Sequence, residues 1–195
     1  MSLVLASRSA ARVALLADAG VVVVADAADL DERAAEAAIA GAAPGAVAAH
    51  LAAAKAAAVA RRHPGALVIG ADQTLDLDGE RFDKAASVAM AAAQLARLRG
   101  RTHRLSSAVA VVRDGVVLWD HVGEARLTMR PFSEAFLAGY VAACGEELTA
   151  TVGGYRLEGR GVQLFDTIDG DHFTILGLPL LPLLGFLRTV GAIDT

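Results

Sequence analysis

The sequence predicts a mixed-sheet α/β fold, and three observations carry that prediction. Short apolar runs with β-branched content alternate with alanine-rich stretches of helical length. Two Asp-Gly pairs stand between apolar or alternating segments, where hairpin turns are expected. Of the 195 residues, 55% are hydrophobic and 21% charged, so one substantial core, or two lobes sharing a sheet, can be filled. A single domain over residues 1–195 is the expected organisation.

Taken in order, residues 3–6 and 21–25 read as strands flanking a helix over 10–19 that ends before Gly20. Pro44-Gly45 opens a second helix, which His63-Pro64-Gly65 closes at about Arg62. The apolar run 66–70 then reads as a buried strand that Asp72 ends. Alanine fills residues 34–60 and 85–96, and this fits helix-forming filler, since alanine has the highest helix propensity. No fixed period marks a repeat array. Asp78-Gly79 is one hairpin turn, and Asp114-Gly115 joins 108–112 to 116–119 in another. Ser133 caps a helix running to about Cys144. A last strand is expected over 162–166, then the turn Asp169-Gly170-Asp171 and an apolar helix from about Pro179.

Composition also excludes classes of function. The richest apolar run, 175–187, is broken by Pro179, Pro182 and two glycines, and falls short of the roughly 20 residues a membrane span needs. The N-terminus has neither a basic segment nor a long apolar one, so a cytoplasmic location is expected. Cys144 is the only cysteine and reads as a small hydrophobe, which leaves zinc chemistry without ligands. A net charge of -4 argues against a protein that lives on nucleic-acid backbone. A small anion held in one basic pocket remains allowed.

Chemistry could sit in four places. The turn Ser7-Arg8-Ser9 with Arg12 offers hydroxyls and a guanidinium at a helix N-terminus, which suits phosphate oxygens; Ser9 is equally an ordinary N-cap. Lys55 shares an i, i+4 row with Val47, Leu51 and Val59, so it either faces a partner inside or snorkels outward along that row. Gly70-Ala71-Asp72-Gln73-Thr74 puts an acid at the end of an apolar strand, where open α/β sheets place ligands. Such an acid can hold Mg²⁺ or accept a proton from water, and the following hairpin can bring Lys84 back toward the same anion. Asp76 and Asp78 are assigned to solvent and turn. Finally, four glycines surround Glu158 in residues 153–161, a spacing that differs from the dinucleotide fingerprint. The five histidines show no metal-ligand spacing.

Taken together, Leu5-Ala6-Ser7-Arg8-Ser9, Glu32, residues 51–55, Gly70 to Thr74, Lys84 and residues 153–161 resemble the Maf family in order and spacing over almost the whole chain. Against that family's opening Ala-Ser-x-Ser-Pro-Arg-Arg, this chain keeps both serines and the second arginine, Arg12, but has Ala10 and Ala11. Gly-Ala-Asp, the lysine at 84 and the late Gly177-Leu178-Pro179 also match. The resemblance implies a two-lobed α/β fold with a central cleft, like that of the inosine triphosphate pyrophosphatases, and often a homodimer. It also implies hydrolysis of a nucleoside triphosphate to monophosphate and pyrophosphate with Mg²⁺ or Mn²⁺. By the same resemblance Asp72 is the proton acceptor, Ser7, Arg12, Lys55 and Lys84 face phosphate, and Glu32 lines the site and joins Asp72 toward the metal. A non-catalytic nucleotide-binding regulator of septum formation is the alternative from another class.

The base is read at three positions. Family members acting on dTTP and UTP carry Arg, Thr and Gln where this chain has Ala11, Gln73 and Glu158. Gln and Glu at the last two resemble the subgroup acting on 7-methyl-GTP, although that subgroup tends to have Trp in place of Ala11. A carboxylate accepts the adjacent N1-H and N2-H₂ of guanine together, and attracts the cationic methylated base; it repels the carbonyls of thymine and uracil. The dTTP/UTP alternative stays open at this point.

Overall fold

The computed structural model describes residues 2–194. Its strands are β1 (Leu3–Leu5), β2 (Val24–Ala25), β3 (Leu67–Leu77), β4 (Glu80–Phe82), β5 (Thr102–Arg113), β6 (Val116–Met129) and β7 (Phe165–Asp169). They form one mixed sheet in the order β2-β1-β3-β5-β6-β7, with β4 paired to β3. β1 runs parallel to β2 and β3, while the β3–β4 and β6–β7 pairs are antiparallel. The helices are α1 (Ala10–Asp18), α2 (Glu32–Ala37), α3 (Pro44–Ala60), α4 (Val88–Leu98), α5 (Glu134–Cys144), α6 (His172–Ile175) and α7 (Leu180–Thr189). The fold is therefore the mixed α/β class that the sequence predicts.

The chain divides into two compact units: Met1–Gln73 with Ser106–Glu124 and Asp171–Thr195, and Thr74–Leu105 with Ala125–Gly170. In the first unit, alternation along β1 and β3 sends Leu3, Leu5, Leu67 and Ile69 to one face, where Leu16 of α1 and Leu180, Leu183 and Leu187 of α7 cover them. Val4 and Val68 point the other way, onto Ala56 and Val59 of α3. Strands buried on both faces read as continuous apolar runs, which is why 66–70 is legible in the sequence. The alanines of α3 are more than filler. Ala48 and Ala52 pack on Ala108 and Ala110 of β5, and a Cβ on Gly70 would lie 2.1 Å from the Ala52 carbonyl oxygen. Small residues on both surfaces let this helix lie almost on the strand.

In the second unit Tyr155 and His103 are buried together, with His103 Nε2 and the Tyr155 hydroxyl 2.7 Å apart. The Tyr155 ring meets Phe165 edge-on at 4.9 Å. Burial pushes the His103 imidazole down to about 4, against a smaller opposing pull from Asp76.

The Asp-Gly pairs at 78–79 and 114–115 form the expected hairpin turns. Positive φ at Asp78 and Gly79 (54° and 86°) and at Asp114 and Gly115 (50° and 81°) is the signature of turns that match strand twist. Four expectations are corrected. Asp72 does not end its strand, because β3 continues to Leu77 and pairs with β4; the acid is tolerated inside because a lysine meets it. Asp76 is not solvated: sharing Asp72's face by alternation, it is 4% exposed and accepts from Arg104 Nε at 2.9 Å and from the Gly79 amide at 3.1 Å. Strand pairing in 21–25 is confined to Val24–Ala25 at the sheet edge. The last strand starts at Phe165, because Arg160–Leu164 forms a 3-10 turn. There the backbone folds back tightly enough that a Cβ on Gly161 would lie 2.4 Å from the Arg156 carbonyl oxygen.

Candidate active site

The first unit gathers its polar side chains around the ends of β1 and α1 and the middle of β3. Between β1 and α1 the Ser7 hydroxyl accepts from the Ser9 amide at 3.1 Å, and the Ser9 hydroxyl caps α1 by accepting from the Arg12 amide. Arg12 turns its guanidinium inward: Nε donates to the Gly177 carbonyl and Nη1 to the Ala71 carbonyl, both at 2.8 Å, with Ser7 Oγ at 3.5 Å. Burial lowers the guanidinium below its ordinary value, while the charges of Asp72 and Glu32 oppose that. It stays a fixed positive charge.

Lys55 follows from the close approach of α3. Gly70 and Asp72 share a face of β3, and Lys55 lies one turn beyond Ala52, the residue Gly70 touches. Its side chain, 13% exposed, does not snorkel: Nζ lies 2.6 Å from Asp72 Oδ1 and 3.0 Å from Glu32 Oε1. Glu32 opens α2, where Asp31 caps the helix, and its side chain is half exposed. One ammonium thus bridges a buried acid and an open one. Burial raises the Asp72 carboxyl above the ordinary carboxylate value; Lys55 and then Arg12 pull the other way, and Glu32 adds to the rise.

Gln73 leaves β3 on the opposite face from Asp72, and its amide nitrogen donates to Ser107 Oγ at 2.9 Å and to the Ile175 and Thr174 carbonyls at 3.0 and 3.3 Å. Ala11 is half-buried in the first turn of α1. The second unit carries Lys84, exposed just beyond β4, and Glu158, whose Oε1 accepts from Arg156 Nε at 3.0 Å. Glu158 lines a cavity of about 330 Å³ with Tyr140, Cys144, Arg156 and Arg160. Sequence reasoning missed Ser107, and it missed the part of residues 174–177, whose carbonyls hold Gln73 and Arg12. The available signals were the Gly177-Leu178-Pro179 motif and Asp171, which caps α6 by accepting from the Thr174 amide at 2.8 Å.

A mixed-sheet α/β protein with hydroxyls and an arginine at one helix N-terminus, beside an acid-lysine-acid bridge, belongs to the anion-handling α/β proteins in its chemistry. The chain is a member of the Maf-like protein family, whose model matches residues 2–190. A 7-methyl-GTP pyrophosphatase of Rhizobium etli is 54% identical, over 98% of this chain and 98% of its own. A nucleoside triphosphate pyrophosphatase of Rhodopseudomonas palustris is 57% identical, over 96% of this chain and 93% of its own. A solved nucleoside-triphosphatase (dITP/XTP pyrophosphatase) from Mycobacterium abscessus is also similar, covering 97% of this chain and 98% of its own at 20% identity, with a TM-score of 0.46.

Proposed function

We propose that the protein hydrolyses a nucleoside triphosphate to its monophosphate and pyrophosphate. The observation that carries this reading is the buried Asp72 carboxylate, raised by its surroundings and held through Oδ1 by the Lys55 ammonium at 2.6 Å. A carboxylate moved toward neutral pH is a better general base than a solvated one. Water attacks the α-phosphorus and Asp72 takes its proton; the bond to the β-phosphate oxygen breaks and pyrophosphate leaves with those electrons. Ser7, the N-terminus of α1, Arg12 and Lys55 offer hydrogen-bond donors and positive charge to the phosphate oxygens on which negative charge collects. No covalent intermediate is required.

The donor set fits a divalent cation. Asp72 and Glu32 both direct carboxylate oxygens at one positive charge, the Lys55 ammonium, and Mg²⁺ is held by one or two carboxylates together with substrate phosphates. Asp72 and Glu32 would hold the ion, which supplies charge neutralisation to the phosphoryl oxygens when bound. Mn²⁺ suits the same ligands. Removal of divalent ions with a chelator is expected to abolish pyrophosphate release, and either ion to restore it.

For the base, a guanine-type substrate, with 7-methyl-GTP ahead of GTP, is the reading supported by the Glu158 carboxylate and by the name of the R. etli relative. Action on a nucleotide in the cytoplasm, as a homodimer, belongs to the same reading and rests on the family resemblance. No described helix is long and apolar enough to cross a membrane. The test is pyrophosphate release from a panel of nucleoside triphosphates by wild type and Asp72→Asn. A wild type that releases pyrophosphate from none of them overturns the activity, and one that prefers dTTP or UTP over both guanine nucleotides overturns the base.

A further inference from the structure

We infer that Arg156 is a specificity-determining residue: it holds Glu158 toward the guanine edge and cancels most of the charge that would favour a cationic base, so it sets how far 7-methyl-GTP is preferred over GTP. This rests on the base reading proposed above and on contacts within the second unit alone. The backbone fixes the two residues first. The Gly159 amide donates to the Arg156 carbonyl at 3.2 Å, closing a turn with Leu157 and Glu158 at its tip, and the Val162 amide donates to the Gly159 carbonyl at 3.3 Å. Gly161 lies against the start of the same turn, where a Cβ would come within 2.9 Å of the Arg156 nitrogen and 2.4 Å of its carbonyl oxygen. Arg156 and Glu158 therefore leave a turn that the backbone closes on itself, and their side chains meet, with Arg156 Nε donating to Glu158 Oε1 at 3.0 Å.

That contact leaves the carboxylate able to recognise a base. Its two oxygens offer about four acceptor positions, and one bond to Arg156 occupies one of them, so both oxygens can still accept from N1-H and N2-H₂ of guanine. What Arg156 changes is the charge. Among the described residues it is the cation that meets Glu158. The cavity of about 330 Å³ that Glu158 lines also has Glu147 and Arg160 in its wall, so two acids stand with two arginines and their charges cancel. A neutral guanine edge is recognised by the geometry of acceptance, which the pair preserves. A 7-methylguanine cation is attracted by Glu158 and repelled by Arg156, and its net gain is small. The two side chains are 51% and 34% exposed, and an ion pair this open contributes little to stability, so its charge can be altered without unfolding the protein.

The probes are 7-methyl-GMP, GMP and UMP, which share one phosphate and differ in the base, so the ratio of their affinities isolates base recognition and does not depend on turnover. Binding to wild type, Arg156→Gln and Arg156→Lys is measured by calorimetry at low and high salt, beside kcat/KM for 7-methyl-GTP and GTP and the melting temperature of each protein. Arg156→Gln removes the charge and raises the affinity ratio of 7-methyl-GMP to GMP by about fivefold, the order expected when one unit charge is removed close to another at a partly solvated surface. The kcat/KM ratio of the triphosphates rises with it. Added salt shrinks the gain, because screening acts on the charges more than on the hydrogen bonds. Arg156→Lys keeps the charge and the wild-type ratio. A ratio unmoved in Arg156→Gln, or raised as far in Arg156→Lys, overturns the inference. Should Arg156→Gln fail to fold, a wild-type ratio that falls steeply with salt overturns it equally, since cancelled charges leave salt little to screen. Failure of the reading beneath it looks different: a wild type that binds UMP ahead of both guanine nucleotides overturns the base and this inference with it, and one that binds the guanine nucleotides but releases no pyrophosphate overturns the activity alone.

Discussion

At the residue scale the proposed chemistry turns on Asp72, and its neighbours give it two separable roles. As a base it is replaced nearly isosterically by asparagine, so Asp72→Asn should lower turnover by about 10²- to 10⁴-fold while keeping the fold, with pyrophosphate release and thermal unfolding as the paired measurements. As half of a buried ion pair it depends on Lys55, 2.6 Å away. Lys55→Met removes the cation and leaves Asp72 buried beside Glu32, and breaking such a pair from one side costs about 3 to 5 kcal/mol. We expect a clear fall in melting temperature together with loss of activity. Lys55→Met combined with Asp72→Asn removes both charges and should recover much of the lost stability but none of the turnover. Recovery of turnover would remove both residues from the catalytic account. At Glu158 the neutral amide of Glu158→Gln should reduce kcat/KM for 7-methyl-GTP and GTP more than for UTP, because the proposed paired acceptance of guanine by the carboxylate would be lost. An equal loss on all three would leave Glu158 as the partner of Arg156 alone.

At the element scale the close approach of α3 to β3 decides where Lys55 goes. Gly70→Ala should show it: the new Cβ would lie 2.1 Å from a backbone oxygen and 2.8 Å from a backbone nitrogen of α3, and neither can swing aside. Helix and strand must part, at a cost of the order of 1 to 3 kcal/mol or more for overpacking. We expect a lower melting temperature and lower activity together, whereas Gly65→Ala, with nothing within 4 Å of its Cβ though at positive φ, should cost stability alone. The same contact explains the alanine-rich sequence of this helix. Read alone, alanine signals helix propensity; which alanines are needed for close packing appears only when the strand beneath is known.

At the scale of the whole molecule, His103 makes stability depend on pH. Its folded-state value, about 4, lies below the ordinary 6.5, so between those values the unfolded chain binds more protons than the folded one. Stability is then fully present above pH 6.5 and is lost as pH falls toward 4, by roughly 3 kcal/mol in total. Urea unfolding of wild type and His103→Gln at pH 7, 5.5 and 4 checks this: the wild-type midpoint should fall with pH more steeply than that of the variant. Parallel slopes would assign the acid sensitivity to other groups.

What the sequence by itself determined was whatever depends on neighbours along the chain. The hairpins at Asp78-Gly79 and Asp114-Gly115, the Ser133 cap, the buried run before Asp72 and the helices after Pro44 and Pro179 are written in local chemistry, and the ordered motifs from Ser7 to Gly177 pointed to the family. The tertiary structure alone decided that Lys55 turns inward, that Asp76 is buried on Arg104, that β3 runs on past Asp72, and that Gln73 grips residues 174 and 175 about a hundred positions away. Each of those depends on a partner distant in sequence, and spacing along a chain carries no record of which carbonyl or carboxylate folding will bring within 3 Å.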